Sequence, residues 1–237
     1  MSETLLKIAN LSAGYGAAPV LFDVDLDVRK GEIVALVGSN GAGKTTLLRS
    51  VSRVINAQGT LEFQGEDLLP LAPEQAFGKG LVQVPEGRHL FGKMTVEENL
   101  NMGAFRRRDK AGLSASFDRV YQLFPILKER RRQLAGNMSG GEQQMCAMGR
   151  ALMAAPKLLM IDEMSLGLAP VIVDQLLEIL ADVRKQGVTV LLVEQDVFAA
   201  FSVADRGYVM ETGKITREGP ISELADDPAV REAYLGA

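Results

Sequence analysis

A glycine-rich segment, GSNGAGKT, occupies residues 38–45 and has the spacing G-x-x-x-x-G-K-[ST]. It follows a short apolar run and opens a helical pattern, which favours phosphate binding over an ordinary glycine turn. The glycines allow a tight loop whose N–H groups converge on phosphate oxygens, and the start of the helix favours anions. Lys44 can reach the β- and γ-phosphates of a nucleotide, and the Thr45 hydroxyl can ligate Mg²⁺. We expect nucleotide contacts from Gly38, Ser39, Asn40, Gly41, Ala42, Gly43, Lys44, Thr45 and Thr46.

Two neighbouring carboxylates end another apolar run, KLLMIDE, at Asp162 and Glu163. An acidic pair at the end of a buried strand is costly unless a cation or a proton uses it. Asp162 suits Mg²⁺, through a bridging water, and Glu163 suits a general base for a water that attacks the γ-phosphate. The alternative is a helix N-cap that follows a strand. Beside a phosphate-binding loop, the pair favours metal binding and hydrolysis.

The segment MSGGEQQM, residues 138–145, allows two interpretations. Ser139 and Glu142 have the S-x-x-E spacing of a capping box, in which each side chain binds the other residue's backbone N–H at the start of a helix. Gly140 and Gly141 also expose backbone N–H groups at the positive end of that helix, where anions bind. The segment therefore predicts either a helix cap alone or a second phosphate site, far in sequence from the first.

The elements that carry these residues follow from the hydrophobic pattern. Three short continuous apolar runs, GEIVALVG, KLLMIDE and VTVLLVEQ, are typical of strands covered on both faces. The last run ends abruptly in Glu194, Gln195 and Asp196, which indicates a buried strand that delivers polar groups to a site. Helical patterns alternate with these runs, so the sequence predicts a parallel sheet with crossover connections.

The remaining regions differ in pattern. Residues 20–28, VLFDVDLDV, alternate between apolar and acidic, which predicts a strand of a smaller antiparallel sheet. Its apolar face would carry Phe22, Val24, Leu26 and Val28. The helical pattern after the glycine-rich loop continues to Val54 and Ile55, and residues of about 92–155 predict a helical insertion without strands.

Length, charge and the numbers of cysteine and histidine exclude several classes of protein function. The 237 residues suffice for one large domain or two small lobes, and a net charge of -4 argues against nucleic acid as a partner. One cysteine, Cys146, cannot build an internal disulfide framework, and we expect a buried or semi-buried thiol in a reducing compartment. One histidine, His89, disfavours a histidine-rich zinc site and Ser/His/Asp catalysis. Without a signal-like segment or a run of about 18–20 apolar residues, we expect a soluble, cytoplasmic protein.

The motifs GSNGAGKT, SGGEQQ and LLMIDE, in this order, resemble those of ATP-binding-cassette (ABC) ATPases over nearly the whole chain. The resemblance implies an α/β fold, a P-loop NTPase cassette with a mainly parallel core sheet, an antiparallel β subdomain and an inserted helical subdomain. It also implies that the whole chain, 1–237, is one ATPase domain that binds ATP and Mg²⁺. Residues 1–91 and 156–237 would form the catalytic lobe, and residues 92–155 the helical subdomain.

The resemblance also implies roles for other residues. Residues 139–142, SGGE, would contact the γ-phosphate of an ATP held by a partner subunit, so that two subunits enclose two nucleotides head to tail. Tyr15 would stack on adenine. Glu86 stands where most of these ATPases carry a glutamine, and Gln83 lies three residues earlier, which makes both candidates for Mg²⁺ or water contacts. Gln195 stands where the wider family has a histidine; its amide can donate a hydrogen bond to phosphate but cannot carry a positive charge.

Longer segments, VPEGRHLFGKMTVEENL, SGGEQQMCAMGRALMAAPKLLMIDE and SLGLAPVIVDQL, resemble the ATP-binding subunits of branched-chain amino acid importers. The resemblance implies a second, different ABC ATPase subunit, two membrane permease subunits and, indirectly, an extracytoplasmic binding protein. It implies a peripheral position on the cytoplasmic face of the inner (plasma) membrane. The alternatives are uptake of urea, amides or other amino acids by the same kind of machine, and a soluble ABC ATPase that acts outside transport.

Overall fold

A computed structural model describes residues 3–235 of the chain. The strands within these residues are β1 (Thr4–Tyr15), β2 (Ala18–Arg29), β3 (Ile33–Val37), β4 (Ala57–Phe63), β5 (Glu66–Asp67), β6 (Leu81–Val84), β7 (Leu158–Asp162), β8 (Thr189–Glu194), β9 (Arg206–Glu211) and β10 (Lys214–Pro220). The helices are α1 (Lys44–Val51), α2 (Pro73–Gly78), α3 (Val96–Gly103), α4 (Lys110–Leu123), α5 (Pro125–Glu129), α6 (Gly140–Met153), α7 (Pro170–Lys185), α8 (Val197–Val203), α9 (Ile221–Leu224) and α10 (Pro228–Val230). A 3₁₀ turn at Ala135–Asn137 precedes α6, and a π-helical turn at Arg231–Leu235 follows α10.

The larger sheet has six strands in the order β10-β9-β3-β8-β7-β6. Its strands run parallel except β10, which pairs antiparallel with β9. Every residue of β3, β7 and β8 is buried. Along β3, Val34 and Leu36 pack into one hydrophobic core, and Ile33, Ala35 and Val37 pack into a second core on the opposite face. The prediction of parallel strands covered on both faces is therefore confirmed.

The smaller sheet is antiparallel, in the order β2-β1-β4-β5, and packs with α1 against the larger sheet. The predicted apolar face of β2 is correct for Val24, Leu26 and Val28, which are buried. It is wrong for Phe22, whose side chain is 37% exposed while Leu21 is fully buried. The reason is a break in the alternation next to Asp23, whose φ of 50° is left-handed and shifts the pairing with β1.

Helix α1 is shorter than the hydrophobic pattern predicts. It ends at Val51, and Arg53 has a left-handed φ of 62°, which stops further helical hydrogen bonding. Val54 is consequently 61% exposed, although Ile55 still packs at the edge of a core. The apolar spacing beyond Val51 therefore belongs to a turn that leads into β4.

The segment between β6 and β7 holds α3 to α6 and the 3₁₀ turn. The middle of α6 buries Met145 and Met148, and Gly149 brings this helix close to Leu100 of α3. Cys146 is fully buried in the same helix, as predicted. Within the part of the chain that the structure describes, no helix combines the length and hydropathy needed to cross a membrane.

Candidate functional site

The glycine-rich loop connects β3 to α1 at the carboxyl edge of the larger sheet. Gly43 directly precedes α1 with a φ of 111°, a conformation that other residues rarely adopt. A side chain at Gly38 would overlap the backbone carbonyl oxygen of Met210. These two glycines are therefore required by the backbone path of the loop itself.

Lys44 is the first residue of α1, and its side chain is only 4% exposed. Its ammonium donates hydrogen bonds to the carbonyl oxygens of Gly38 at 2.8 Å and Ser39 at 3.2 Å. The same Nζ atom lies 3.2 Å from Oε1 of Glu163. The lysine thus folds back over the loop, with oxygen atoms around its charge.

Thr45 and Asp162 meet although they are far apart in sequence. The Thr45 hydroxyl donates a hydrogen bond of 3.2 Å to Oδ1 of Asp162, the last residue of β7. Burial raises the pKa of Asp162 to about 6, and the charges of Glu163 and Glu86 act in the same direction. The Thr45 hydrogen bond and the Lys44 ammonium oppose this shift in pKa. The carboxylate is therefore held where a cation would stabilise its charged form.

These two groups fit Mg²⁺. A hydroxyl and a carboxylate supply hard oxygen ligands, and Mg²⁺ commonly uses one or two such protein groups together with substrate phosphates and water. Within residues 3–235, no group of three or more His, Cys, Asp or Glu side chains is arranged to hold a metal by itself. The donor set at Thr45 and Asp162 accordingly suits a cation that a bound nucleotide helps to hold.

Glu163 follows β7 with a left-handed φ of 47°, and its backbone N–H donates to the Val193 carbonyl oxygen at 2.8 Å. It lines a cavity of about 410 Å³ with the loop residues from Asn40 to Thr46. Glu86 lines the same cavity. Gln83 instead lies in β6, where its side-chain oxygen accepts a 2.7 Å hydrogen bond from the Ser52 hydroxyl. Of the two candidates, Glu86 is the one that the fold brings to the loop.

Tyr15 lies at the end of β1 beside a second cavity of about 770 Å³. The residue is 44% exposed, and its hydroxyl accepts a hydrogen bond of 3.0 Å from Arg49. The guanidinium carbon of Arg49 lies 5.9 Å from the centre of the ring, within range of a cation–π contact. The hydroxyl is also 3.5 Å from Oγ1 of Thr46, which joins Tyr15 to the phosphate-binding loop. An exposed aromatic face is thus available next to that loop.

Residues 139–142 form the predicted capping box at the start of α6. The backbone N–H of Ser139 donates to Glu142 Oε2 at 2.8 Å, and the N–H of Glu142 donates to the Ser139 hydroxyl at 3.4 Å. Arg130 pairs with the other oxygen of Glu142 at 2.9 Å. Ser139 and Glu142 line a cavity between α5 and α7, which is distinct from the cavity beside Lys44. The fold therefore does not bring this motif to the loop of the same chain.

Gln195 is exposed just beyond β8, whereas Glu194 before it is buried to 1% exposure. Both carboxylate oxygens of Glu194 accept hydrogen bonds from Ser165, which lies two residues after Glu163. Sequence patterns did not single out this contact. The sequence shows only that Glu194, a charged residue, ends a continuous apolar run. It does not indicate which residue Glu194 contacts.

A second contact that the sequence did not indicate joins α6 to the loop after β6. Arg150 donates hydrogen bonds to the carbonyl oxygens of His89 at 2.7 Å and Arg88 at 2.9 Å. Both of these loop residues have left-handed φ values, 67° for Arg88 and 47° for His89. Arg150 therefore fixes the loop that carries Glu86.

Known proteins with similar sequences cover almost the whole chain. A family model described as ABC transporter matches residues 21–165. The chain is 49% identical over 233 residues to the high-affinity branched-chain amino acid transport ATP-binding protein BraG of Pseudomonas aeruginosa, covering 98% of this chain and all of that protein. It is 34% identical over 237 residues to the probable branched-chain amino acid transport ATP-binding protein LivF of Archaeoglobus fulgidus, covering 98% and 99% of the two chains.

A solved structure is similar over the same length. The ADP conformation of an ATP-binding cassette of an ABC transporter superposes on this chain with a TM-score of 0.85. The two sequences are 27% identical, and the alignment covers 100% of each chain. The similarity thus extends over both sheets and the helices between β6 and β7.

Proposed function

This chain belongs to the ABC transporter family as an ATP-binding, ATP-hydrolysing subunit, and we propose that it drives the import of branched-chain amino acids. The predicted resemblance and the α/β P-loop cassette fold are confirmed by the family match and by the solved cassette. The observation that carries the proposed cargo is the 49% identity, over the full length, to a protein named for branched-chain amino acid transport. The archaeal relative carries a similar name.

We assign hydrolysis to the cluster of charges beside the phosphate-binding loop. In this assignment residues 38–46 hold the phosphates of ATP, and Lys44 contacts the β- and γ-phosphates. Glu163 accepts the proton of the water that attacks the γ-phosphate. The 3.2 Å contact between Lys44 and Glu163 supports this division of roles, because it places a proposed base beside a proposed phosphate ligand.

Mg²⁺ is assigned to Thr45 and Asp162, with a water between Asp162 and the ion. When bound, Mg²⁺ neutralises charge on the β- and γ-phosphate oxygens. The 3.2 Å hydrogen bond between the two side chains supports the assignment, because it sets their oxygens beside each other. Glu86 lines the same cavity and is a further candidate for a metal or water contact, while Gln83 is engaged by Ser52.

Three further contacts complete the proposed nucleotide site. Tyr15 stacks on adenine, supported by the exposed ring beside Thr46. Gln195 donates a hydrogen bond to the γ-phosphate, supported by its exposed position at the end of β8. Residues 139–142 act on the ATP of a partner subunit, supported by their position away from the loop of their own chain.

ABC transporter ATPases work in pairs with membrane permeases. For this chain we propose a second, different ATPase, two permease subunits and an extracytoplasmic binding protein, with no nucleic acid involved. The chain would lie on the cytoplasmic face of the inner (plasma) membrane as a peripheral subunit. Residues 92–155 would form the helical subdomain that transmits motion to the permeases, while 1–91 and 156–237 would form the catalytic lobe.

A native pull-down tests the proposed assembly. The tagged chain, expressed in its own cells, is recovered from gently solubilised membranes, and the co-purifying proteins are identified by mass spectrometry. We expect two permeases and a second ATPase that carries a histidine at the position of Gln195. Recovery from the soluble fraction alone, without a permease in the presence or absence of ATP, would contradict the transporter assignment. A co-encoded binding protein that prefers urea or an amide would contradict the cargo alone.

A further inference from the structure

Glu194 is a buried carboxylate at the end of β8, with a side chain that is 1% exposed. Its Oε1 atom accepts a hydrogen bond from the backbone N–H of Ser165 at 3.1 Å, and its Oε2 atom accepts one from the Ser165 hydroxyl at 2.7 Å. Both oxygens thus accept hydrogen bonds from Ser165, and the backbone N–H of Met164 also acts on this carboxylate. A buried carboxylate is costly unless such bonds offset its desolvation, so an apolar residue would have closed this strand at lower cost.

The path of the backbone shows what this contact holds in place. Asp162, at the end of β7, is paired with Val193 of β8. Glu163 extends this pairing by one more hydrogen bond, from its N–H to the Val193 carbonyl oxygen at 2.8 Å. The chain then turns through the left-handed φ of Glu163, and Ser165 returns to the next residue of β8, Glu194. Consecutive residues of β8 therefore fix the backbone on both sides of Glu163.

We propose that Glu194 is a positioning residue for hydrolysis, which holds Ser165 and thereby fixes the direction of the Glu163 side chain. This inference rests on the proposed role of Glu163 as the base. Rate depends on such placement, since a shift of about 1 Å in a reacting group can lower turnover by about 10²-fold.

Steady-state ATP hydrolysis by the complex purified from its own membranes tests the proposal. We expect Ser165→Ala and Glu194→Ala each to lower kcat about tenfold, because the base is displaced while the phosphate-binding loop is intact. KM for ATP should stay within about twofold of the wild-type value. Ser165→Thr, which keeps the hydroxyl, should have a kcat much closer to the wild-type value than that of Ser165→Ala. The double variant Ser165→Ala/Glu194→Ala should be no worse than Glu194→Ala alone, since Glu194→Ala already removes both hydrogen bonds that join the two residues.

Matched controls separate this contact from general effects on folding. Ser202→Ala removes a serine that makes a local 2.8 Å hydrogen bond to the Ala199 carbonyl oxygen in α8, and it should leave kcat unchanged. Glu194→Gln keeps the size of the side chain and replaces Glu194→Ala if that variant does not fold. Unchanged kcat in the Ser165 and Glu194 variants, or losses that add in the double variant, would overturn the proposal. Undiminished turnover in Glu163→Gln would instead overturn the proposed role of the base.

Discussion

Nζ of Lys44 lies 3.2 Å from Oε1 of Glu163, and the two side chains are only 4% and 12% exposed. Each charge offsets part of the cost of burying the other. The ammonium also contacts the carbonyl oxygens of Gly38 and Ser39, so it has partners that a phosphate could replace. When ATP binds, we expect Lys44 to exchange these protein oxygens for phosphate oxygens and to leave Glu163 free to contact water.

Glu163→Gln removes the carboxylate with almost no change in size. We expect ATP turnover of the assembled complex to fall by about 10²–10⁴-fold, the usual contribution of a general base. ATP should bind at least as tightly, because a negative charge that repels the phosphates is removed. Steady-state hydrolysis and equilibrium nucleotide binding measure the two effects.

Gln195→Ala provides the comparison for that experiment. An uncharged amide contributes one ordinary hydrogen bond to phosphate, so its removal should reduce turnover by roughly tenfold or less. Equal losses of turnover in Gln195→Ala and Glu163→Gln would contradict the ordering of these two residues.

Tyr15→Ala should weaken ATP binding about tenfold, since stacking of a base on an aromatic ring is worth about 1–3 kcal/mol. Tyr15→Phe keeps the ring and loses the contacts of the hydroxyl with Arg49 and Thr46, so ATP affinity should stay within about twofold of the wild-type value. Equilibrium binding of ATP and GTP measures both, and the two nucleotides should be affected alike. If Tyr15→Phe loses as much affinity as Tyr15→Ala, the hydroxyl is responsible and stacking is not.

Glu194 makes stability depend on pH in a defined direction. Burial raises its pKa from 4.5 to about 7, the charge of Glu163 adds to this, and the Ser165 hydrogen bonds oppose it. The folded state therefore binds this proton more tightly than the unfolded state, so its stabilising contribution is complete below pH 4.5 and is lost as pH rises to about 7. At about 1.4 kcal/mol per tenfold change in proton affinity, the loss is about 3 kcal/mol.

Urea unfolding of wild type and Glu194→Gln across this pH range checks the prediction. The variant lacks the titration, so its free energy of unfolding relative to wild type should rise between pH 4.5 and 8 by about 3 kcal/mol. Titrating groups that do not act on Glu194 contribute equally to both proteins and cancel in the difference. A difference that stays constant with pH would contradict the raised pKa of Glu194.

Cys146 should resist thiol reagents in the folded protein. The residue is fully buried, and burial raises the pKa of its thiol to about 11, so the reactive thiolate is scarce at pH 8. We expect the thiol to be labelled slowly in the native protein and rapidly and stoichiometrically in denaturant. Mass spectrometry of the protein at successive times measures the labelled fraction. Rapid labelling of the native protein would contradict the burial of this helix face.

The sequence predicted the elements that local pattern determines. Continuous apolar runs located β3, β7 and β8, and the S-x-x-E spacing located the cap that joins Ser139 to Glu142. The predicted burial of Phe22 was wrong because the left-handed backbone at Asp23 interrupts the alternation. No residue type in VLFDVDLDV indicates that break.

Contacts across the fold were less predictable. The spacing of GSNGAGKT predicted Lys44 as a phosphate ligand, but the partners of its ammonium depend on where Glu163 folds. The bond between Ser165 and Glu194 joins residues 29 positions apart, and its geometry depends on the pairing of two strands. A single sequence shows that residue 194 is a glutamate, but it does not show which groups will donate hydrogen bonds to its carboxylate.

Uptake of leucine by the organism's own cells tests whether ATP hydrolysis by this chain drives import. The chromosomal copy is replaced by Glu163→Gln or by the matched control Glu178→Gln, which changes an exposed glutamate of α7. We expect uptake of radiolabelled leucine, isoleucine and valine to be lost with Glu163→Gln and to be normal with Glu178→Gln. Undiminished uptake of all three amino acids with Glu163→Gln would contradict the claim that ATP hydrolysis by this chain drives their import.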